Sequence, residues 1–136
     1  MIIDAEDMIV GRMATYVAKR ALMGETIDIV NAEKAVITGD SKKVFERFKQ
    51  KREMGAPLIG PHFPRTPERI LKRMIRGMLP YKQPRGKEAF ARIKCHVGIP
   101  KQFEGKSEKL NQFNVSKTYA NFVTIKEISK KLGAKV

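Results

Sequence analysis

Ala14, Val17, Ala18, Ala21 and Leu22 recur at i, i+3, i+4, i+7 and i+8, the period of a helix with one buried face. Short apolar or β-branched runs stand on both sides of it. "MIIDA" opens the chain, and "TIDIVNA" and "AVITG" follow, each bounded by turn residues. A second helical segment, "KKVFERFKQKRE", comes next. Asp40 and Ser41 are placed to cap it, and Val44, Phe45 and Phe48 mark one face. Strand, helix, strand, strand, helix in that order predicts an α/β fold. The same order points to a mainly parallel sheet. The 136 residues suggest one domain spanning 1–136.

The second half is punctuated more heavily. "MGAPLIGPHFPRTP" holds two Gly and four Pro and reads as a loop. Thr66 can cap the next helix, with Pro67 at its first position, where the missing N–H costs nothing. That helix is expected to run to about Leu79 and stop before Pro80. "YKQPRG" reads as a second loop. "KEAFARIKCHVGIP" reads as a helical turn leading into a strand, with Ile93, Cys95 and Val97 on one face. Residues from about 100 to 121 are polar and weakly patterned, as expected of an irregular surface extension. A short closing helix follows at about 125–132, with Thr124 and Glu127 as a capping box and Gly133 at its end.

Charge narrows the function. The chain carries 28 Lys and Arg against 14 Asp and Glu, a formal net charge of +14. The excess lies after residue 40, since residues 1–40 hold seven acids and four bases. Such self-repulsion is tolerated when a polyanion neutralises it. No apolar run approaches the ~20 residues needed to span a bilayer, and no helix joins a basic face to a free aromatic face. The start has no basic lead and no cleavage-like site, so no signal peptide is read there. One cysteine, Cys95, allows no internal disulfide and suits a reducing compartment. These features predict a soluble cytoplasmic protein that binds nucleic acid.

The strongest local signal is "RTPERILKRMIRGMLPYKQPRGKEAF", residues 65 to 90. On a helical wheel Arg69, Lys72, Arg73 and Arg76 fall within an arc of about 100°. Ile70, Leu71, Met74, Ile75 and Met78 fall opposite, within about 140°. One face is therefore core and the other a stripe of four cations. Successive cations lie about 5–6 Å apart, comparable to phosphate spacing along a strand. Three of the four are Arg, which suits bidentate phosphate contact. The following loop, pinned by Pro80, Pro84 and Gly86, adds Lys82, Arg85 and Lys87. Tyr81 has two readings: stacking on an unpaired base, or packing on the helix as a rim residue. The expected RNA-binding set is Arg65, Arg69, Lys72, Arg73, Arg76, Tyr81, Lys82, Arg85, Lys87, Arg92 and Lys94.

Catalytic and cofactor signals are missing. "DAEDMIVGRMA" lacks G-x-G-x-x-G and "VITGDSKK" is not G-x-x-x-x-G-K-[ST], so neither glycine cradle for phosphate is present. Cys95, His96 and His62 have no ligand spacing, and adjacent residues on a strand face opposite ways. The two His stand near no Ser or Asp motif. Asp4, Glu6 and Asp7 read as acids at the start of the first helix. No enzyme, cofactor, metal or small-molecule substrate is expected.

"VNAEKAVITGD", "RTPERILKRMIRGMLPYKQPRGKEAF" and a "GR-x-A-x-x-x-A-K" near the start together resemble the universal large-subunit ribosomal protein L-thirteen family. The resemblance covers nearly the whole chain, and "RGMLP" before a basic Pro/Gly loop is its most specific piece. The "GPHFPRTP" loop, the "TIKEISKKLG" end and the absence of a long N-terminal lead look like the archaeal or eukaryotic branch. The short C-terminus looks archaeal. The resemblance implies a three-layer α/β/α fold with a mainly parallel four-stranded sheet, no catalysis, and binding to large-subunit ribosomal RNA beside neighbouring ribosomal proteins. It implies nothing about Cys95. The residues alone leave open a free RNA- or DNA-binding regulator.

Overall fold

The computed structural model describes residues 1–136 as a mixed α/β fold. β1 (Ile2–Asp4), α1 (Val10–Leu22), β2 (Ile27–Val30) and β3 (Val36–Thr38) come first. α2 (Ser41–Glu53), α3 (Pro67–Arg76), α4 (Pro84–Ala91) and β4 (Ile93–Cys95) follow, then β5 (Phe122–Thr124) and α5 (Ile125–Lys131). The strand count differs from expectation. β1, β2 and β4 form a three-stranded parallel sheet in the order β1-β2-β4. β3 does not join it but pairs antiparallel with β5. The backbone between β2 and β3 explains the split. Asn31 adopts φ 55°, and a short 3-10 turn at Ala32–Lys34 redirects the chain before β3 begins.

Strand register sorts the sheet's two faces. Ile3, Ile29 and Cys95 stand side by side, as do Ile2, Asp28 and Lys94 one residue away. The first face, with Ile27 and Ile93, is fully buried but for Cys95, and joins one core with α1, α3 and α4. Ile70, Leu71 and Ile75 are the α3 residues within that core. The second face is mixed, with Ile2 and Val30 beside Asp4, Asp28 and Lys94. Its Asp28 carboxylate lies 2.9 Å from Nε2 of His96, whose ring meets Phe103 at 5.5 Å.

The extension is pinned rather than loose. Its backbone runs along β1, with the Asp4 N–H donating to the Glu108 carbonyl at 3.0 Å and the Glu108 N–H donating to Ile2 at 2.9 Å. This covers the outer edge of the sheet. Lys109 anchors it with charge, at 2.7 Å from Glu6 and 3.7 Å from Asp4. Asp4 is buried, but it accepts from Asn31 Nδ2 at 2.8 Å and from the Glu6 N–H at 3.0 Å. The early acids thus do not cap α1, which starts from Ile9 with no acid in its first turn. Asp4 and Glu6 hold Lys109 of the extension instead, and Glu6 also pairs with Lys34.

Candidate nucleic-acid interface

α3 begins as expected at Pro67, with Glu68 in the first turn and Arg73 and Arg76 in the last. Thr66 has N-cap backbone geometry, but its hydroxyl caps nothing and is buried without a partner. The helix ends at Arg76, three residues before Leu79, because Gly77–Pro80 wind into turns with Met78 N–H bonded to Ile75 and Leu79 N–H bonded to Arg76. This unwinding moves the apolar face. Leu79 stays buried, Met74 is only partly covered, and Met78 lies exposed with its sulfur 3.4 Å from the Thr15 hydroxyl.

The opposite face of α3 is cationic, with Glu68 of the first turn at its margin as the only acid of the helix. Arg69, Lys72, Arg73 and Arg76 take part in none of the chain's ion pairs. Their planar and aromatic neighbours are close. Lys72 Nζ sits 4.8 Å from the centre of the Phe90 ring, and the Arg76 guanidinium sits 4.6 Å from that of Tyr81. Tyr81 therefore packs on the helix through Arg76. It remains exposed. The four cations line a shallow concavity of about 370 Å³ with His62, Pro64 and Phe90. A second concavity of about 340 Å³ joins Arg73, Arg76 and Tyr81 to Lys51 and Phe63. Positive groups held in a row without counter-charge are a surface suited to a chain of phosphates.

The segment after α3 departs from expectation. Residues 80–87 are not a loop throughout, because α4 starts at Pro84. Gln83, Gly86 and Lys87 N–H groups bond to Pro80, Gln83 and Gln83 carbonyls at 2.9, 3.1 and 3.1 Å. Gly86 is buried against the Pro80 carbonyl group, which closes the turn on itself. Lys82, Arg85 and Lys87 still point outward as exposed side chains, and Arg85 Nε donates to Gln83 Oε1 at 3.1 Å.

Three of the expected cations stand apart. Arg92 donates to the Ala21 carbonyl at 3.3 Å and pairs with Glu88 at 3.5 Å, so it ties α4 to α1. Lys94 stands beside Asp28, on the sheet face opposite to Cys95, and Cys95 is the neighbour that feels the charge of Lys72 on α3. Arg65 is exposed, and its backbone carbonyl accepts from the Ser129 hydroxyl at 2.5 Å. Cys95 itself belongs to the core packing, and desolvation pushes its thiol up to about 12. It stays a neutral thiol at physiological pH.

Sequence reasoning misses one basic helix. α2 carries Lys43, Arg47 and Lys51, and these line a cavity of about 470 Å³ that reaches Arg73 of α3. A signal is present, since "KKVFERFKQKRE" has six bases and two acids. The apolar period of that segment marks a helix, but it does not say that the cations face a second basic helix.

The first 102 residues match the family model described as "Ribosomal protein L13". The chain is 49% identical to the large ribosomal subunit protein uL13 of Archaeoglobus fulgidus, an alignment covering 97% of this chain and 86% of the relative. It is 46% identical to uL13 of Methanococcoides burtonii, covering 98% of each chain. It is 47% identical to uL13 of Methanococcus maripaludis, covering 99% of this chain and 98% of the relative. These similarities run from β1 through α3 and α4 to the closing helix, in keeping with the basic face and the α/β body, and the chain belongs to the ribosomal protein L13 family.

Proposed function

We propose that this chain is a structural constituent of the large ribosomal subunit, of archaeal type, and that it binds and braces large-subunit ribosomal RNA. It catalyses no reaction in this role. The carrying observation is the α3 face, with four cations in one arc and no acid partner, on a chain of an L13 family fold. Phosphate contacts position a protein on RNA without reading sequence. The α3 stripe is the centre of the contact. Lys82, Arg85 and Lys87 extend it along the turn into α4, and Tyr81 borders it. In this reading the protein works at the ribosome in the cytoplasm, beside RNA and other large-subunit proteins. No helix is long and apolar enough to cross a membrane.

The test is sedimentation of the purified chain with large-subunit RNA transcripts, with small-subunit RNA as competitor. Retention on the large-subunit RNA, and incorporation into reconstituted subunits that survives a high-salt wash, is the expected result. Equal affinity for both RNAs and no incorporation would point to a free RNA-binding regulator.

A further inference from the structure

We propose that the cavity between α2 and α3 receives one unstacked nucleotide of the bound RNA, with its base on the apolar floor and its phosphates on the rim. The cavity is about 470 Å³, within the range of sites that enclose a small organic group. Its floor is Ile37, Val44, Phe48, Phe63 and Met74. The rim carries Lys43, Arg47 and Lys51 from α2 and Arg73 from α3, against one carboxylate, Asp40. Asp40 is occupied as the α2 cap, accepting from the Lys42 N–H at 3.3 Å. Lys43, Arg47, Lys51 and Arg73 appear in none of the chain's ion pairs.

Two features select a nucleotide over a purely apolar or purely anionic occupant. An apolar side chain would fill the floor and leave four cations without a partner. A free phosphate would pair with the rim and leave the floor empty. A base joined to its phosphates satisfies both. The aromatic rings are arranged for this. Phe48 and Phe63 meet edge to face, with centres 5.8 Å apart. Phe63 is only partly buried, so ring surface remains on offer. Lys51 Nζ hovers 5.7 Å from one ring and 5.8 Å from the other, a cation resting over the place an aromatic base would take. Bases taken out of a stack are held between aromatic and apolar side chains in this manner. The neighbouring concavity with Arg76 and Tyr81 shares Lys51, Phe63 and Arg73, so the strand reaches the cavity from the α3 stripe.

This inference rests on the RNA-binding reading. The experiment therefore compares three proteins by affinity for a large-subunit RNA fragment: wild type, Phe63→Ala and Arg69→Glu. Arg69 lies on the stripe outside the cavity. The proposal expects Phe63→Ala to lose roughly 5- to 160-fold in affinity, the usual range for removing one base–aromatic stack. It also expects ultraviolet cross-linking of wild type to join one nucleotide to the peptide holding Phe63. Thermal melts establish that both variants are folded, and cross-linking of the unaltered protein supplies the readout if Phe63→Ala is not. If Arg69→Glu weakens binding while Phe63→Ala does not, and no nucleotide cross-links there, the cavity proposal is overturned and the RNA face stands. If neither variant weakens binding, the RNA face fails with it. Tight binding of adenosine or uridine monophosphate alone, with no change in RNA affinity for Phe63→Ala, also overturns it and makes the cavity a site for free nucleotide.

Discussion

Gly86 in the first turn of α4 lies against the carbonyl group of Pro80 so closely that a Cβ there would overlap it and sit 2.9 Å from the Tyr81 nitrogen. The turn from α3 to α4 is therefore packed before any partner arrives. Gly86→Ala should lower stability by about 1–3 kcal/mol, since backbone rather than a flexible side chain must give way. Gly11→Ala in α1 is the control. Nothing lies within 4 Å of the added methyl, and relief of the glycine entropy cost should leave stability unchanged or raise it by about 0.5–1 kcal/mol. Thermal melts of the two variants check this, and equal melting temperatures would contradict the packing.

Hydrogen exchange follows from the same close approach. The amides of Gln83, Gly86 and Lys87 donate within the turn and should be protected in the free protein. The sequence alone reads residues 80–87 as a basic loop without regular hydrogen bonding. Exchange at the solvent rate in those three amides would restore that reading.

The two faces of α3 should separate folding from binding. Ile75 is fully buried, so Ile75→Asp places an unpaired carboxylate in the core and should unfold the protein. Arg69→Glu changes an exposed residue and should shift stability by no more than about 0.5 kcal/mol while weakening RNA binding. Circular dichroism melts and RNA titration distinguish the two outcomes. Met74, core by helical period, is only partly covered, and Met74→Asp should be milder than Ile75→Asp.

Glu6 makes stability depend on acid. Hydrogen bonds from Lys109 and Lys34 hold its carboxyl at about 2, against an ordinary value of 4.5, and they push both lysines upward. A carboxyl with a lowered folded value stabilises fully above its unfolded value and loses that contribution as pH falls through the folded one. Stability should therefore drop between about pH 5 and pH 2, and Glu6→Gln should flatten part of that slope. The loss should be felt first in the extension that Lys109 anchors. Urea melts across that range check it, and an unchanged slope in Glu6→Gln would contradict it.

Much of the body is legible in the sequence because its signals are local. The α1 period, the Asp40 cap of α2 and Pro67 at the head of α3 all act within a turn of themselves. What stays hidden depends on distant partners. β3 reads as a sheet strand by composition, but its partner β5 lies more than eighty residues on, and no pattern announces that pairing. Asp4 and Glu6 look like helix-capping acids until Lys109 reaches them from the extension. The cation stripe of α3 is legible because helical period alone sorts its faces. The α2 cations escape notice because their value depends on α3 standing across the cavity from them.

The salt dependence of binding tests the central claim most directly. Affinity of the wild-type chain for a large-subunit RNA fragment should fall ~10³–10⁵-fold between 50 and 200 mM salt, as expected if ~6–10 phosphates are neutralised. Arg69→Gln combined with Lys72→Gln should reduce the log–log slope by about 2, one unit for each phosphate that is no longer neutralised. A wild-type slope shallower than about −3, or a double variant with the slope of the wild type, would contradict the account and make the α3 stripe a solvated surface.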